Sequence, residues 1–556
     1  MAKLFEDETK FKRIDSDPTF TRLKSLQTYL RKLYDRKEID ETQYKSMRLK
    51  HAKPARSHGL PKIHKEYEGI PKFRPIIDTT GTTHYNVGKF LSNLLFPLTQ
   101  NDFVLKDSFD TSTKLRNLPP ELFEEGYVFV SFDVTSLFTN VPLKRTINII
   151  LERIYEKKLL NINLKKSTLK KLIIDTCTKT VFSCNDNLFE QTDGVSMGSS
   201  MGPLLANIIM TELEEVIIKG LVNDNTIKFY GRYVDDTLLV IKPSDIAKVH
   251  ELINSFDPNI QFTVDTFENE VPHFLDIEIS PDGLTIFRKD TNTGQYVNIE
   301  SYTNWNHKTA WIRSLVTRAK RICSSNKLQQ ELSKIRCFAS WNAFPKHVCN
   351  GIIKKTITKL NNATTVDSSN DDNIVTLWMK IPYLGDQSQQ LVRTLQRKLK
   401  RSTRKNTQFV LKVSYSTTKV SYFTNNKDRT PKLSKSGVVY QFRCPGCSAD
   451  YIGKTDRNLH ERCIEHATTK DSAIMSHLNT CQQLTDINNM MHFDLPQLNR
   501  KEQRTYNINC VEDNTSIIDT SDNWSILLIK EALHIKRHKP ILNSGLKASR
   551  DLFLFS

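Results

Sequence analysis

The chain has 556 residues, too many for one ordinary core, so about two to four domains are expected. Hydrophobic residues make up 38% and charged residues 26%, the balance of a soluble protein that folds, and no apolar run is long enough to span a bilayer. A formal charge of +18 points to a polyanionic partner, nucleic acid before a membrane surface. The ten cysteines are mostly scattered, which favours thiols or a metal site in a reduced compartment over a disulfide framework. The start, Met1-Ala2-Lys3-Leu4-Phe5-Glu6-Asp7-Glu8, is too charged for a signal peptide, and no basic run reads as a nuclear address.

From Phe11 to about Lys53 the chain reads as helical, with Leu23, Leu26, Tyr29, Leu30 and Leu33 at helix spacing between charges. A basic, turn-rich stretch follows, Gly59-Leu60-Pro61-Lys62-Ile63-His64-Lys65, and then Lys72-Phe73-Arg74-Pro75-Ile76-Ile77-Asp78. Lys62, Lys72 and Arg74 are candidate clamps for a triphosphate, since a guanidinium fork matches phosphate oxygens. Tyr127-Val128-Phe129-Val130-Ser131-Phe132-Asp133-Val134 reads as a buried strand carrying a carboxylate near its end. Further along, Phe138 is placed to pack beneath an incoming sugar and to clash with a 2′-hydroxyl; a core aromatic explains it equally well.

The glycine-rich loop Gly194-Val195-Ser196-Met197-Gly198-Ser199-Ser200-Met201-Gly202 enters an apolar helix, and Gly198 there lets backbone approach a base pair or sugar. Phe229-Tyr230-Gly231-Arg232-Tyr233-Val234-Asp235-Asp236-Thr237-Leu238-Leu239-Val240-Ile241 reads as a hairpin whose turn holds two carboxylates. An Asp pair alone is usually a polar turn. Flanked by two apolar strands, with Asp133 supplied by a third, the pair becomes an oxygen-ligand cluster suited to Mg²⁺ (or Mn²⁺) and two-metal phosphoryl transfer. A second hairpin, across Pro281-Asp282-Gly283, is placed to press on a primer strand. A helical, strongly basic stretch runs from Trp305 to about Lys359, a polar loop follows, and basic residues crowd Arg393 to Lys405. A solvated helix face explains that crowding as easily as a phosphate contact does.

The order Gly-Leu-Pro-Lys-Ile-His-Lys, Phe-Arg-Pro-Ile, Phe-Asp-Val-Thr-Ser-Leu-Phe-Thr-Asn-Val-Pro, glycine-rich loop, Tyr-Val-Asp-Asp, Phe-Leu-Asp resembles the reverse transcriptase of Penelope-like retroelements over roughly residues 54 to 325. The resemblance implies a right-hand polymerase with fingers, an antiparallel-sheet palm and a helical thumb. It also implies that Asp133 and Asp235 hold the metals directly, with Asp236 nearby. Ser200 stands where many relatives carry Pro, and the chain begins almost at the fingers where longer relatives have an extension.

Near the C-terminus, Gly437-Val438-Val439-Tyr440 and Tyr451-Ile452-Gly453 lie on two short strands, followed by a helix with Arg462 and His466 on one face, an apolar helix bearing Glu531, and Asn543. This set resembles a GIY-YIG endonuclease over roughly residues 435 to 545. The resemblance puts Tyr440 and Tyr451 at the water and phosphate site, Arg462 on the developing phosphoryl charge and His466 in support. Glu531 would hold a single Mg²⁺, with Glu502 a competing acid, and Asn543 is a late structural or substrate-contacting residue. Between the strands, Cys444-Pro445-Gly446-Cys447 is a knuckle suited to thiolate coordination. His477 and Cys481 complete a Cys₃His zinc set, with His492 or Cys463 as substitutes.

The expected class is therefore α+β: fingers and N-terminal helices at 1–125, palm at 126–290, a thumb-like helical region at 291–385, a basic linker at 386–434, and a small α/β GIY-YIG domain with its zinc knuckle at 435–546. The expected activity is RNA-directed DNA polymerase with a DNA-nicking endonuclease, acting in target-primed reverse transcription. Expected partners are an RNA template, a DNA target and primer, and deoxynucleoside triphosphates, without a membrane; a homodimer is left open, and nuclear action follows from the function alone. The alternative from another class is a non-catalytic nucleic-acid-binding descendant, whose mark would be a lost palm Asp or a lost nuclease Tyr or Arg. All are present.

Overall fold

In the computed structural model the described residues are 5, 8, 11–61, 69, 73–185, 187–192, 194–267, 271–362, 374–401, 408–416, 430–490, 499–521 and 523–543. Lys62, Lys72 and His492 lie outside them.

The leucines spaced along Thr19–Asp35 form one stripe, so that helix buries Leu23, Leu26, Leu30 and Leu33. Before it, Phe11–Ile14 is a strand (β1) rather than the helix expected. It is held by pairing with a strand nearly two hundred residues away, which no local pattern announces. β2 (Ala55–Pro61) and β3 (Phe73–Asp78) follow, then β4 (Val128–Val134), β5 (Val181–Cys184) and β6 (Asn187–Gln191). Five of these form one sheet in the order β1-β6-β5-β2-β3, parallel only between β2 and β5. Phe5, Phe11, Phe182 and Phe189 pack together on it.

β4 instead joins β7 (Ile227–Tyr233), β8 (Asp236–Ile241) and β9 (Phe262–Asp265) in a fully antiparallel sheet, ordered β7-β8-β4-β9. Strand alternation splits β8 between two cores. Leu239 and Ile241 face the helices Leu143–Leu151 and Gly202–Leu213, while Leu238 belongs to the next core. That next core joins the small sheet β10 (His273–Phe274), β11 (Ile277–Ser280), β12 (Gly283–Ile286) to three helices, Trp305–Ile322, Ser325–Trp341 and Lys346–Asn362.

The region read as the close of the thumb and a basic linker differs from expectation. β13 (Ile374–Pro382) and β14 (Gln408–Ser416) pair in parallel, connected by the helix Asp386–Arg401. Parallel strands need such a crossover. The density of Lys and Arg over Arg393–Lys405 masked the apolar face of that helix, where Val392 is buried.

The C-terminal unit is a sheet of β15 (Val438–Arg443), β16 (Asp450–Thr455) and β17 (Thr515–Thr520), ordered β16-β15-β17 and antiparallel. Alternation again feeds two faces. Val438, Tyr440 and Phe442 pack with Leu459 and Val511, and Val439 and Ile452 pack with Leu527 of the helix Trp524–His538. The unit abuts the first sheet region: Asn458 Nδ2 donates to the Ala52 carbonyl at 2.8 Å, and His460 sits edge-on to Phe20 at 5.7 Å.

Candidate active sites

The turn between β7 and β8 is built from beneath. Arg232 is fully buried, with Nε donating to Glu214 Oε1 and Nη1 donating to Asn207 Oδ1 at 2.8 Å and to the Val234 carbonyl at 3.1 Å. Glu214 also accepts from Asn101 at 2.6 Å. A charge pair this deep tolerates loss of neither partner alone, so the arrangement ties the helix after the glycine loop to the turn. Val234 sits at φ +59°, a left-handed conformation that a β-branched residue rarely adopts. The turn therefore carries strain, and the Arg232 contact helps to hold it.

The consequence is convergence. Asp133 on β4 is the register partner of Asp236 on β8, and carboxylate oxygens of Asp133, Asp235 and Asp236 all lie within 4.8 Å of one another. Burial, then the charges of Asp235 and Asp133, push the Asp236 carboxyl up to about 6, against the pull of Lys289 and Arg74. Oxygen-only donors, crowded and mutually repelling, fit hard divalent cations. Because the folded-state value is raised, the stability contributed by the protonated Asp236 is fully present below its ordinary value of 3.8 and is lost as pH rises through about 6. Mg²⁺ is thus expected to raise Tm at pH about 7.5 and to do so much less at pH about 5.5, where Asp236 holds a proton. Thermal melts across a Mg²⁺ series at both pH values check this, and equal shifts at the two would refute it.

Around the cluster, Arg74 projects from β3, exposed and close enough to act on Asp236. Lys289 plays the same part and was missed by sequence reading; its only mark was a position just past the hairpin of β11 and β12. Gly198 has a second constraint. Its φ is +106°, and a Cβ there would lie 2.4 Å from the Ile77 carbonyl oxygen, so its bareness admits β3, with Thr79 Oγ1 donating to the Gly198 carbonyl at 2.8 Å. It shapes the loop against the first sheet. Phe138 is half-buried on the short helix Leu137–Asn140, its ring against Gly202 at the start of the loop's helix.

In the C-terminal unit, Tyr440 is buried and its Oη accepts from Arg462 Nε at 2.9 Å and shares a 2.7 Å hydrogen bond with His466 Nε2. The phenol proton therefore points at His466, whose Nδ1 faces Ser472 Oγ at 2.8 Å. Burial and then the Arg462 charge hold His466 down at about 3, so its imidazole is neutral at pH about 7 beside Tyr440. Burial pushes the Tyr440 hydroxyl well up, and Tyr451 moves the same way for the same reason. Arg462 is also anchored by Glu465, Nη1 to Oε2 2.7 Å. Gly453 makes the cluster possible, since a Cβ there would fall 2.6 Å from the Tyr440 hydroxyl oxygen. Ser472, Glu465 and Gly453's steric role were invisible in the sequence because each depends on who packs opposite.

Glu531 faces Lys454 Nζ, and it acts electrostatically on Tyr451. Lys454 also lies over the Trp524 ring at 5.1 Å. Glu502 caps its own helix with Asn499 and is no rival for Glu531. Asn543 departs from the substrate-binding role: its side chain donates to the Ile452 carbonyl at 2.8 Å and accepts from the Ile452 amide at 2.9 Å. Both ends of the amide are used on β16, which makes it a clamp on the strand.

Cys444, Cys447, His477 and Cys481 converge with donor atoms all within 4.8 Å of one another. Cys444 Sγ lies 3.8 Å from Cys481 Sγ, and Cys447 Sγ lies 3.2 Å from His477 Nε2. Two sulfurs each about 2.3 Å from a tetrahedral zinc ion are separated by about 3.8 Å, so the donor set fits that ion. Cys463 is buried outside the group.

Comparison with known proteins bears on this layout. Residues 93–260 match the family model described as reverse transcriptase (RNA-dependent DNA polymerase), and residues 295–358 match one described as an animal helix-turn-helix domain. The chain therefore carries a reverse transcriptase domain, set in a mixed α+β fold. Among solved structures it is similar to a C-terminally truncated apo telomerase from Candida tropicalis, at 11% identity and TM-score 0.33 over 50% of this chain and 56% of that one. It is also similar to Candida albicans telomerase with a telomeric RNA fragment, at 12% identity and TM-score 0.35 over 65% and 72%. A third is a sicinivirus RNA-dependent RNA polymerase, at 14% identity and TM-score 0.32 over 57% and 71%. The chain spans about half the length of the first of these (56%). No curated protein matches the chain.

Proposed function

We propose that the protein is an RNA-directed DNA polymerase coupled to a GIY-YIG endonuclease, working by target-primed reverse transcription in the manner of a Penelope-like retroelement. The observation that carries the polymerase reading is the convergence of Asp133, Asp235 and Asp236 on a strained turn within the reverse transcriptase match. Asp133 and Asp235 would be the direct ligands, with Asp236 beside them. Two divalent cations bound there supply charge neutralisation at the attacking and leaving oxygens. The chain's own residues do the positioning. Arg74 and Lys289 would draw the triphosphate toward the carboxylates, Phe138 would pack beneath the sugar, and the β11–β12 hairpin would brace the primer.

For the second activity, support comes from the Tyr440, Arg462 and His466 cluster with Tyr451 alongside. Arg462 would swing its guanidinium charge to the scissile phosphate, while His466 and Ser472 keep Tyr440 aimed. Glu531 would hold a single divalent ion once Lys454 is displaced. The nick leaves a 3′-hydroxyl, which is the primer the palm needs.

The zinc reading is tested on the full chain. Cys444→Ser is expected to lose about one equivalent of bound zinc and to lower the melting temperature of the C-terminal unit, with primer extension unchanged, because a structural zinc site contributes folding energy locally. Elemental analysis showing no zinc in wild type would refute it. The coupled reading is tested by supplying supercoiled plasmid, an RNA template, labelled deoxynucleotides and Mg²⁺. Label joined covalently to nicked plasmid is expected. Extension of oligo(dT) on poly(rA) without any joined product would leave a polymerase and defeat the coupled mechanism.

A further inference from the structure

We propose that the unit of β13, β14 and their connecting helix is a binding site for single-stranded nucleic acid, with Trp378 as its stacking plate. None of its residues belongs to the Asp133, Asp235 and Asp236 cluster or to the Tyr440, Arg462 and His466 cluster, and it needs neither to be active.

The parallel register sets Trp378 beside Lys412 and Lys380 beside Ser414, and strand alternation puts these four on one face of the two-stranded sheet. The other face turns toward the helix, with Ile381, Leu411 and Val392 buried. Trp378 is left 74% exposed, and Lys412 Nζ stands 5.2 Å from its ring centre. An indole is rarely held so open without a partner, and a partner with a flat π-face and a negative charge suits this pair. Charge decides what that partner is. Lys380 and Lys412 are the charges on the Trp378 face, and the one acid in residues 374–416, Asp386, belongs to the helix that covers the other face. An acidic-rimmed protein surface would supply charge without a stacking face. A duplex would supply charge with its bases already stacked. An unpaired strand supplies both, a base for Trp378 and phosphates for the cations.

The unit is fastened to the rest of the chain by aromatic rings. Tyr383 packs against Tyr302, at 5.3 Å, in the loop that leads into the helix Trp305–Ile322, and against Tyr415 of β14 at 5.5 Å. This aromatic row fastens the unit beside the three-helix region that follows the palm.

The test uses the full chain, a labelled oligo(rU) strand and an excess of unlabelled RNA–DNA primer–template duplex to occupy the palm, with binding read by fluorescence anisotropy. Trp378→Ala is expected to weaken oligo(rU) binding about tenfold or more and Trp378→Phe much less, since a phenyl ring still stacks. Lys412→Ala is expected to lower the slope of log affinity against log salt by about 0.7, one phosphate contact to a single strand. Primer extension on a short pre-annealed duplex stays at the wild-type rate in all three, which separates this site from the polymerase reading. Wild-type affinity in Trp378→Ala would overturn the proposal. So would a change in sedimentation with binding unaltered, because the face would then join two copies of the chain. Should Trp378→Ala fail to fold, Lys412→Ala with an unchanged salt slope overturns it instead.

Discussion

Asp235→Asn is expected to abolish DNA synthesis on a primed RNA template, by about three powers of ten or more, while nucleic-acid binding stays near wild type. The substitution keeps the volume and the turn, because the Val234 carbonyl still accepts from the buried Arg232. What it removes is one anionic ligand from a cluster of three. Several kcal/mol of transition-state charge stabilisation depend on metals held in place, and each 1.36 kcal/mol is a tenfold change in rate. Binding survives because it draws on the basic surface of a chain with formal charge +18. A second readout is internal. Removing the Asp235 charge takes away one of the two like charges that raise Asp236, so its carboxyl should fall back toward the ordinary range. Oligo(dT) extension on poly(rA) is the measurement, and synthesis at the wild-type rate would sink the palm assignment.

Arg462→Ala is expected to slow nicking of supercoiled DNA about a hundredfold or more, the usual cost of removing one positioned charge stabiliser. The fold should hold. Ala suits a helix interior, and the Tyr440 hydroxyl keeps its bond to His466. Glu465, freed from Arg462, still has Arg457. A further mark separates a positioning role from a structural one: Arg462→Lys keeps charge but loses the fork, so partial rescue of nicking without change in melting temperature points to the phosphate. Extension of a pre-nicked primer should be untouched in both variants, since that chemistry is assigned to Asp133 and Asp235. If wild type and Arg462→Ala leave the plasmid equally uncut with Mg²⁺ or Mn²⁺ present, the C-terminal unit is a binding module.

Much of this was readable locally. The Asp235-Asp236 turn between two apolar runs, the strand that ends near Asp133, and the Cys444/Cys447 knuckle with His477 and Cys481 are short-range patterns. The structure brings each set together. Departures occur where a residue's role is set by a distant neighbour. Gly198 is also bare because of Ile77, whose carbonyl oxygen a Cβ there would meet at 2.4 Å. Asn543 was open to a structural or a substrate-contacting role, and both ends of its amide are bonded to Ile452. The stretch read as a basic linker contains a strand and a helix of a parallel pair, because a helix crowded with Lys and Arg hides the single apolar stripe that docks it.

The sequence by itself determined which residue types stand together here: three carboxylates, thiols with an imidazole, tyrosines with an arginine, and a surplus of positive charge. Those properties belong to residue types and their spacing, so they survive without coordinates. Only the tertiary structure decided how those side chains are tuned. The raised Asp236, the neutral His466, the buried Arg232 under Val234, and Lys289 beside the carboxylates all arise from burial and from charges brought close by strands far apart in the chain. Desolvation and Coulomb interaction depend on distance in space, and a linear sequence does not record that distance.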